Sequence, residues 1–253
     1  MKKLKSILLS VLGQEKYLAL TSSFFFFYFK NGWLRNKTIY NSHYFVKNFI
    51  KPGHTVIDIG ANLGYFSVQF AQLVGKTGKV YAVEPIELYR KILKKNVGQF
   101  SQVEILPYAL GETEGSIKMG NPDSDKHRHG LMRVLNDKDV NADAQVYEVP
   151  MKNPAKLFAE LSKIDYIKCD IEGYEVPVIP LMKSLIAYHQ PLVQIETEGE
   201  NRCILFDMFS SLQYKMFFVQ AEKLQAYQHP DNHLPGDMIC IPQSRVSSFE
   251  QFM

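Results

Sequence analysis

The segment Asp58-Ile-Gly60-Ala-Asn62-Leu-Gly64 sets an acid, two glycines and an asparagine at alternate positions. Gly60 lets the backbone approach a ligand closely, and Asn62 is the non-glycine residue that best tolerates a left-handed conformation. Gly64 permits tight helix packing, while Asp58 can hold the loop or the charged end of a ligand. Glu84 follows Asp58 by 26 positions, where an acid can accept hydrogen bonds from the two hydroxyls of a ribose. The set implies an adenosine-containing cofactor. A dinucleotide fingerprint would read GxGxxG, with a bare helix N-terminus for the pyrophosphate; here an acid leads, in the spacing DxGxNxG. There is no GxxxxGK[ST] stretch for a nucleotide triphosphate. A leading acid suits an amino group and a sulfonium better than phosphates, so S-adenosylmethionine fits best.

A second group consists of Asp170, Glu172, Glu175 and Glu196. Asp170 is expected to face the positive methionyl end of the cofactor. Glu172 or Glu196 would orient or deprotonate an acceptor hydroxyl. Capping competes with catalysis for Glu172 and Glu175, since acids favour the first turn of a helix. Carboxylates at two strand ends could also hold Mg²⁺ through hard oxygen ligands; a base without a metal is the expectation. His127 and His129 in a polar stretch, and His229 and His233 around Pro230-Asp-Asn, are candidate acceptor-binding groups able to titrate near neutral pH. The competing reading makes them solvated loop histidines. Arg128 and Arg133 could meet an acidic group on the acceptor.

The elements that position these residues alternate from residue 55 onward, short β-branched runs with helical stretches, as in an α/β domain with a parallel sheet. Thr55–Ile59 reads as a strand buried on both faces, followed by the glycine loop and a helix over Tyr65–Val74. Strands are expected at Lys79–Glu84, Gln102–Leu106, Asp165–Cys169, Leu192–Thr197, Lys215–Val219 and Met238–Ile241, the last antiparallel because no helix precedes it. Helices are expected over Ile86–Val97, Pro154–Leu161, Tyr174–Tyr188 with a kink at Pro180, and Asn201–Leu212. Residues 111–150 read as a polar insertion framed by a hairpin of Gly115–Met119 and Gln145–Val149. The division is an N-terminal helical segment over 1–50 and one catalytic-type domain over 51–253.

Four stretches then carry a resemblance: Val56-Ile-Asp-Ile-Gly-Ala-Asn-Leu-Gly-Tyr-Phe-Ser67, Val83-Glu84-Pro85, Ala109-Leu110-Gly111 and Ile164-Asp-Tyr-Ile-Lys-Cys-Asp-Ile-Glu-Gly-Tyr-Glu175. Together they resemble the FkbM-type family of S-adenosylmethionine-dependent methyltransferases across about residues 40–242, and D-[IV]-E-G-x-E is the most specific part. The resemblance implies the class I methyltransferase fold: a Rossmann-like α/β architecture with a seven-stranded, mostly parallel sheet, last strand antiparallel, and helices on both faces. It implies methylation of hydroxyl oxygens, and cofactor contacts at Asp58, Gly60, Ala61, Asn62, Gly64, Tyr65, Phe66, Ser67, Glu84, Pro85 and Asp170. Tyr108 and Ala109 would lie near the adenine.

Composition sets the outer bounds. The chain has 253 residues, 46% of them hydrophobic, enough for one substantial core. The net charge of +3 reads as too weak and evenly spread for a nucleic-acid partner. Cys169, Cys203 and Cys240 show no CxxC spacing, which suits reduced thiols in the cytoplasm. Lys2, Lys3 and Lys5 before Ile7–Leu12 imitate a signal peptide, but no small-residue cleavage site follows. The apolar block Tyr17–Phe29 is too short to span a bilayer. It is expected to pack on the core; the alternative is peripheral contact with a membrane, beside a lipid-linked substrate.

The expected acceptor is a sugar or glycoconjugate hydroxyl, because the polar insertion and carboxylate-rich face suit one better than an apolar phenol. A lipid, phenol or polyketide-like acceptor is the alternative, and a non-catalytic adenosine-binding module is the reading outside the enzymes. The sequence assigns no oligomeric state.

Overall fold

In the computed structural model, residues 2–121, 132–135, 145–227 and 236–253 are described, with side chains from residue 8 onward. His127, Arg128, His129, His229 and His233 lie outside the described residues.

The central sheet is built from β1 (Thr55–Ile59), β2 (Lys79–Val83), β3 (Val103–Leu106), β8 (Tyr166–Cys169), β9 (Leu192–Ile195), β10 (Tyr214–Gln220), β11 (Lys223–Ala226) and β12 (Met238–Pro242). Their order is β11-β10-β12-β9-β8-β1-β2-β3. Strands β3 to β9 of that order pair in parallel, and β12 runs antiparallel to both β9 and β10. After β3 the chain returns to the far side of β1, which opens a crevice at the carboxyl ends of β1 and β8. That reversal is where open α/β sheets bind ligands.

Among the described residues the sheet has eight strands rather than seven. The extra edge strand, β11, forms a hairpin with β10 through Ala221 and Glu222, whose φ angles are 49° and 60°. Turns of that shape are ordinarily marked by Gly, Asn or Asp, so Gln-Ala-Glu-Lys gave no turn signal. A second difference concerns two helices: that expected over Pro154–Leu161 is the shorter α5 (Pro154–Leu157), and that over Tyr174–Tyr188 is divided. Instead of one kinked helix it comprises α6 (Glu175–Val178), a 3₁₀ turn over Ile179–Met182 and α7 (Lys183–His189), because Pro180 lacks the amide proton to continue the first piece.

Helices cover both faces. On one side α6, α7 and α8 (Gly199–Ser211) bury Val178, Ile186, Leu205 and Phe209 against Ile57, Ile167, Val193 and Cys240. On the other, α2 (Asn41–Phe45) with the 3₁₀ turn Val46–Asn48 and Phe49 after it, α3 (Tyr65–Val74) and the C-terminal 3₁₀ segment Gln243–Phe252 bury Phe45, Phe49, Phe70 and Phe249 on Val56, Tyr166 and Ile239. α4 (Glu87–Val97) has a clear apolar face of Tyr89, Ile92, Leu93 and Val97, all buried.

The N-terminal helix α1 (Lys2–Lys30) breaks at Gly13, where φ is 74° and ψ 163°. Its Tyr17 and Leu18 pack on Leu63, Ile86, Tyr89 and Ile92. Among the described residues no helix is long and apolar enough to cross a membrane.

A smaller sheet stands over the crevice, in the order β4 (Ala109–Leu110), β7 (Val146–Lys152), β5 (Gly115–Gly120) and β6 (Arg133–Val134). Its centre is the antiparallel pair β5–β7, from Gly115 opposite Met151 to Gly120 opposite Val146. The hairpin expected over Gly115–Met119 and Gln145–Val149 therefore carries one further short strand at each side.

Candidate active site

The loop from β1 into α3 turns through three left-handed residues, Gly60 (φ 80°), Asn62 (φ 51°) and Gly64 (φ 90°). Gly60 and Ala61 donate their amides to the Val83 carbonyl at 3.1 and 3.0 Å, which ties the loop to the end of β2. A Cβ on Gly60 would lie 1.9 Å from the Asp170 carbonyl oxygen, so glycine is what lets the loops after β1 and β8 pass each other. Gly64 serves packing instead: a Cβ there would sit 2.8 Å from Leu93 of α4.

The crevice at this junction is a cleft of about 300 Å³. Its lining includes Asp58, Gly60, Ala61, Asn62, Tyr65, Phe66, Glu84, Pro85, Tyr108 and Ala109, and on the other side Asp170, Glu172 and Glu196. The structure thus brings the two sequence clusters to one site. Gly64 and Ser67 are not among the lining residues. Ser67 is buried below the loop and donates its hydroxyl to Asp58 Oδ2 at 2.6 Å.

Asp58 is wholly buried, and its second oxygen, Oδ1, has no hydrogen-bond partner. Burial raises its carboxyl above the ordinary range, opposed by the Lys168 charge and the Ser67 hydroxyl. Glu84 is also buried and accepts from the Asn62 amide at 2.9 Å and the Ile86 amide at 2.8 Å. Burial outweighs those two donors and lifts it to about 7. The Asn62 carboxamide oxygen is a further buried acceptor without a partner. Unpaired buried acceptors beside an open cleft fit a ligand rich in N–H and O–H donors, which describes the amine, ribose and adenine amino groups of S-adenosylmethionine. Phosphates carry no such donors.

On the far wall, Lys168 of β8 is 3% exposed, and its Nζ lies 2.8 Å from Asp170 Oδ2. Burial works against its charge, but Asp170 and Asp58 outweigh burial and hold its pKa above the ordinary value. Asp170 is pushed up by burial and held down by Lys168 and by a hydrogen bond with Glu196; the net effect lowers it. Glu196, exposed to the cleft, is raised by that hydrogen bond and by the Asp170 charge. The two carboxyls therefore titrate as a pair, in which Asp170 favours the ionised form and Glu196 the protonated one.

Glu172 occupies a left-handed conformation (φ 56°) between Ile171 and Gly173. Glu175, buried at the start of α6, accepts from the amides of Ile171 at 2.9 Å and Gly173 at 3.2 Å and so fixes that turn. Of the competing roles, capping describes Glu175. Glu172 lines the cleft instead, and burial followed by the charges of Asp170 and Glu175 lifts it to about 7. One oxygen from each of Asp170, Glu172 and Glu196 lies within 4.8 Å of the others, close enough for the three to meet on a proton or a cation.

Two basic residues of the lining, His43 and Lys168, were not singled out from the sequence. His43 of α2 stacks on Phe66 at 3.7 Å between ring centroids, and its Nδ1 lies 3.1 Å from the Gln69 amide nitrogen. Burial, then the Lys168 charge, pushes its pKa down to about 3, so it is neutral at working pH. Lys168 is the other. A lone cation in the apolar run Tyr166–Cys169, in register with Asp58 of β1 and Gln194 of β9, was a readable sign. Arg133 lies in β6, while the neighbouring Met132 and Val134 reach the cleft.

Comparison with known proteins follows the same outline. The family model for the methyltransferase FkbM domain matches residues 58–218, which is more than half of the chain. A crystal structure of methyltransferase FkbM from Methylobacillus flagellatus superposes with a TM-score of 0.51 at 16% identity, over 79% of this chain and 47% of that one; at that identity the likeness is one of fold. A protein-L-isoaspartate O-methyltransferase of Methanosarcina mazei is 47% identical over 48 residues, 19% of this chain and 20% of its own. A probable cobalt-precorrin-6B C(15)-methyltransferase of Pyrobaculum aerophilum is 37% identical over 60 residues, 24% of this chain and 31% of its own. The matches span a fifth to a third of those relatives and about half of the solved structure. With the glycine loop, the two buried acids and the D-I-E-G-Y-E turn on one cleft, and the domain matched from Asp58 to Phe218, the chain belongs to the FkbM family of methyltransferases.

Proposed function

We propose that the protein is an S-adenosylmethionine-dependent O-methyltransferase whose acceptor is a hydroxyl of a sugar or glycoconjugate. The observation that carries the reading is Glu172, a carboxyl with a pKa of about 7 held in a left-handed turn at the cleft wall. Perturbed carboxyls on strained backbone are characteristic of proton-transfer sites.

Asp58 Oδ1, the Asn62 carboxamide oxygen and Glu84 are the acceptors that would hold the donor groups of S-adenosylmethionine, which supplies an activated methyl group. Tyr65, Phe66, Tyr89 and Tyr108 give flat apolar surface for an adenine. Transfer from a sulfonium then depends on placing the acceptor oxygen in line, and the alcohol still has to lose its proton. Glu172 is half ionised near pH 7 and can take that proton, whereas Glu196 already holds one and can donate a hydrogen bond to an acceptor oxygen. Asp170, neutralised by Lys168, offers little net charge to a hard dication. A base without a metal is therefore the reading we adopt over Mg²⁺. The proposed site of action is the cytoplasm, where buried Cys169 and Cys240 stay reduced.

Apolar walls formed by Met119, Met132 and Val134 from the smaller sheet favour a second reading, in which the acceptor is a phenol or lipid. The test is release of S-adenosylhomocysteine over a panel of simple glycosides, catechol and long-chain alcohols, for the native protein and Glu172→Gln. Turnover with glycosides that falls about 10²–10⁴-fold in the variant, with S-adenosylhomocysteine binding intact, supports the proposal. Turnover with catechol or the alcohols alone supports the second reading, and binding without turnover points to a cofactor-binding module.

A further inference from the structure

The charge of the chain is not spread evenly, as its small total suggests. Residues 1–50 contain eight Lys and Arg against one acid, a formal charge of +7, so the remaining residues, with 21 basic and 25 acidic side chains, carry −4. The same segment holds an unusual exposed surface. Leu20, Phe24, Phe27 and Tyr28 recur at i, i+4, i+7 and i+8 along α1 and are 38%, 52%, 55% and 40% exposed. Trp33, just past the helix, is 61% exposed. The rings make one cluster, with Phe27–Trp33 centroids at 5.7 Å, Tyr28–Trp33 at 5.2 Å and Phe27–Tyr28 at 5.9 Å.

Alternate residues of the same helix do the packing. Phe25 meets Tyr65 at 4.5 Å and His43 at 5.4 Å, both of which line the cleft. The outer stripe is thus surplus to the core, on the same helix whose Phe25 meets the cleft residues.

From this stripe and the charge around it we infer that α1 docks the protein onto an anionic lipid bilayer. Aromatic and aliphatic side chains on one face, with Lys16, Lys30 and Lys37 exposed on the same segment and Arg35 paired with Glu222 at 3.4 Å, match the chemistry of a helix lying in the headgroup region: apolar groups enter the acyl boundary and the lysines meet lipid phosphates. Tyr and Trp favour that interface. A single-stranded nucleic acid would use open ring faces for stacking, whereas these rings pack edge to face on one another, and exposed Leu20 and Ile39 have no use there. The inference does not depend on the reaction proposed above.

Trp33 is the one tryptophan of the chain and reports directly. Native protein is mixed with vesicles of equal phosphatidylglycerol and phosphatidylcholine, and with phosphatidylcholine alone, and followed by co-sedimentation and Trp33 emission. Docking gives co-sedimentation with the anionic vesicles, a blue shift of the emission, and release at about 0.5 M salt, where screening is strong. Phe24→Ser with Phe27→Ser, and separately Lys30→Glu with Lys37→Glu, should each weaken binding more than about tenfold while S-adenosylhomocysteine binding or the circular-dichroism spectrum shows the fold retained. The inference is overturned by absence of binding to anionic vesicles, by binding that both variant pairs leave unchanged, by a dimer that buries Trp33 without lipid, or by capture of a single-stranded polynucleotide in preference to vesicles.

Discussion

The Lys168 ammonium lies 2.8 Å from Asp170 and stands in register with Asp58 on the neighbouring strand. One buried cation thereby compensates two carboxyls of the cleft, Asp58 from β1 and Asp170 from the end of β8. The Phe66 ring, 4.8 Å from Nζ, closes the remaining side.

Lys168→Met keeps most of the volume and removes the charge. Two carboxyls then lose their compensation; breaking a fully buried ion pair from one side costs about 3–5 kcal/mol, and since the Asp170 side chain is 34% exposed the expected cost is about 2–3 kcal/mol. Urea unfolding at pH 7 should show a loss of that order. At pH 5 the gap should narrow, because Asp58 and Asp170 can take up protons in the variant. A loss below about 1 kcal/mol at pH 7 would mean that the pair is solvated and that the cleft is not organised around it.

Glu175 acts through Glu172. Its Oε1 holds the amides of Ile171 and Gly173, and so the left-handed turn that aims Glu172 into the cleft. Glu175→Ala leaves both donors unmatched and should cost about 1–3 kcal/mol and lower kcat more than KM. Glu175→Gln keeps the accepting oxygen and should restore most of kcat, with the pH limb assigned to Glu172 moved below its native position near 7, because the Glu175 charge that helps raise it is gone. Equal effects of the two substitutions would show that charge rather than positioning is at stake.

Glu84 makes stability depend on pH in a definite direction. Its folded pKa of about 7 lies above the ordinary 4.5, so between those values the folded protein holds a proton that the unfolded chain has released. Stability from this group is complete below about pH 4.5 and falls as pH rises through 7, by about 3 kcal/mol in all. Urea titrations from pH 4.5 to 8 should show a shallower decline for Glu84→Gln than for the native protein. Parallel curves would contradict the buried assignment.

Much of this was legible beforehand, for identifiable reasons. Asp58, Gly60, Asn62 and Glu84 were readable because a strand-end acid, glycines and an asparagine have few other uses at that spacing, and they meet on one cleft. The parallel strands were readable as apolar runs, since both their faces are buried. β11 was not, because its hairpin turns at Ala221 and Glu222 without a glycine. His43 lay beyond reach for another reason: its place beside Phe66 and the cleft is set by how α2 packs on α3, a tertiary relation with no local signature. Lys168 sat in plain view, and only its register with Asp58 gave it meaning.

The central claim is that Asp58 and Glu84 form a pocket for S-adenosylmethionine rather than for a dinucleotide. Titration calorimetry of the native protein, Asp58→Ala and Glu84→Ala with S-adenosylhomocysteine and with NADH tests it directly. The expected result is binding of S-adenosylhomocysteine with a Kd of about 1–100 μM, weakened more than about tenfold in each variant, and no heat with NADH. Absence of S-adenosylhomocysteine binding to the native protein, or tighter binding of NADH, would contradict the assignment of the pocket.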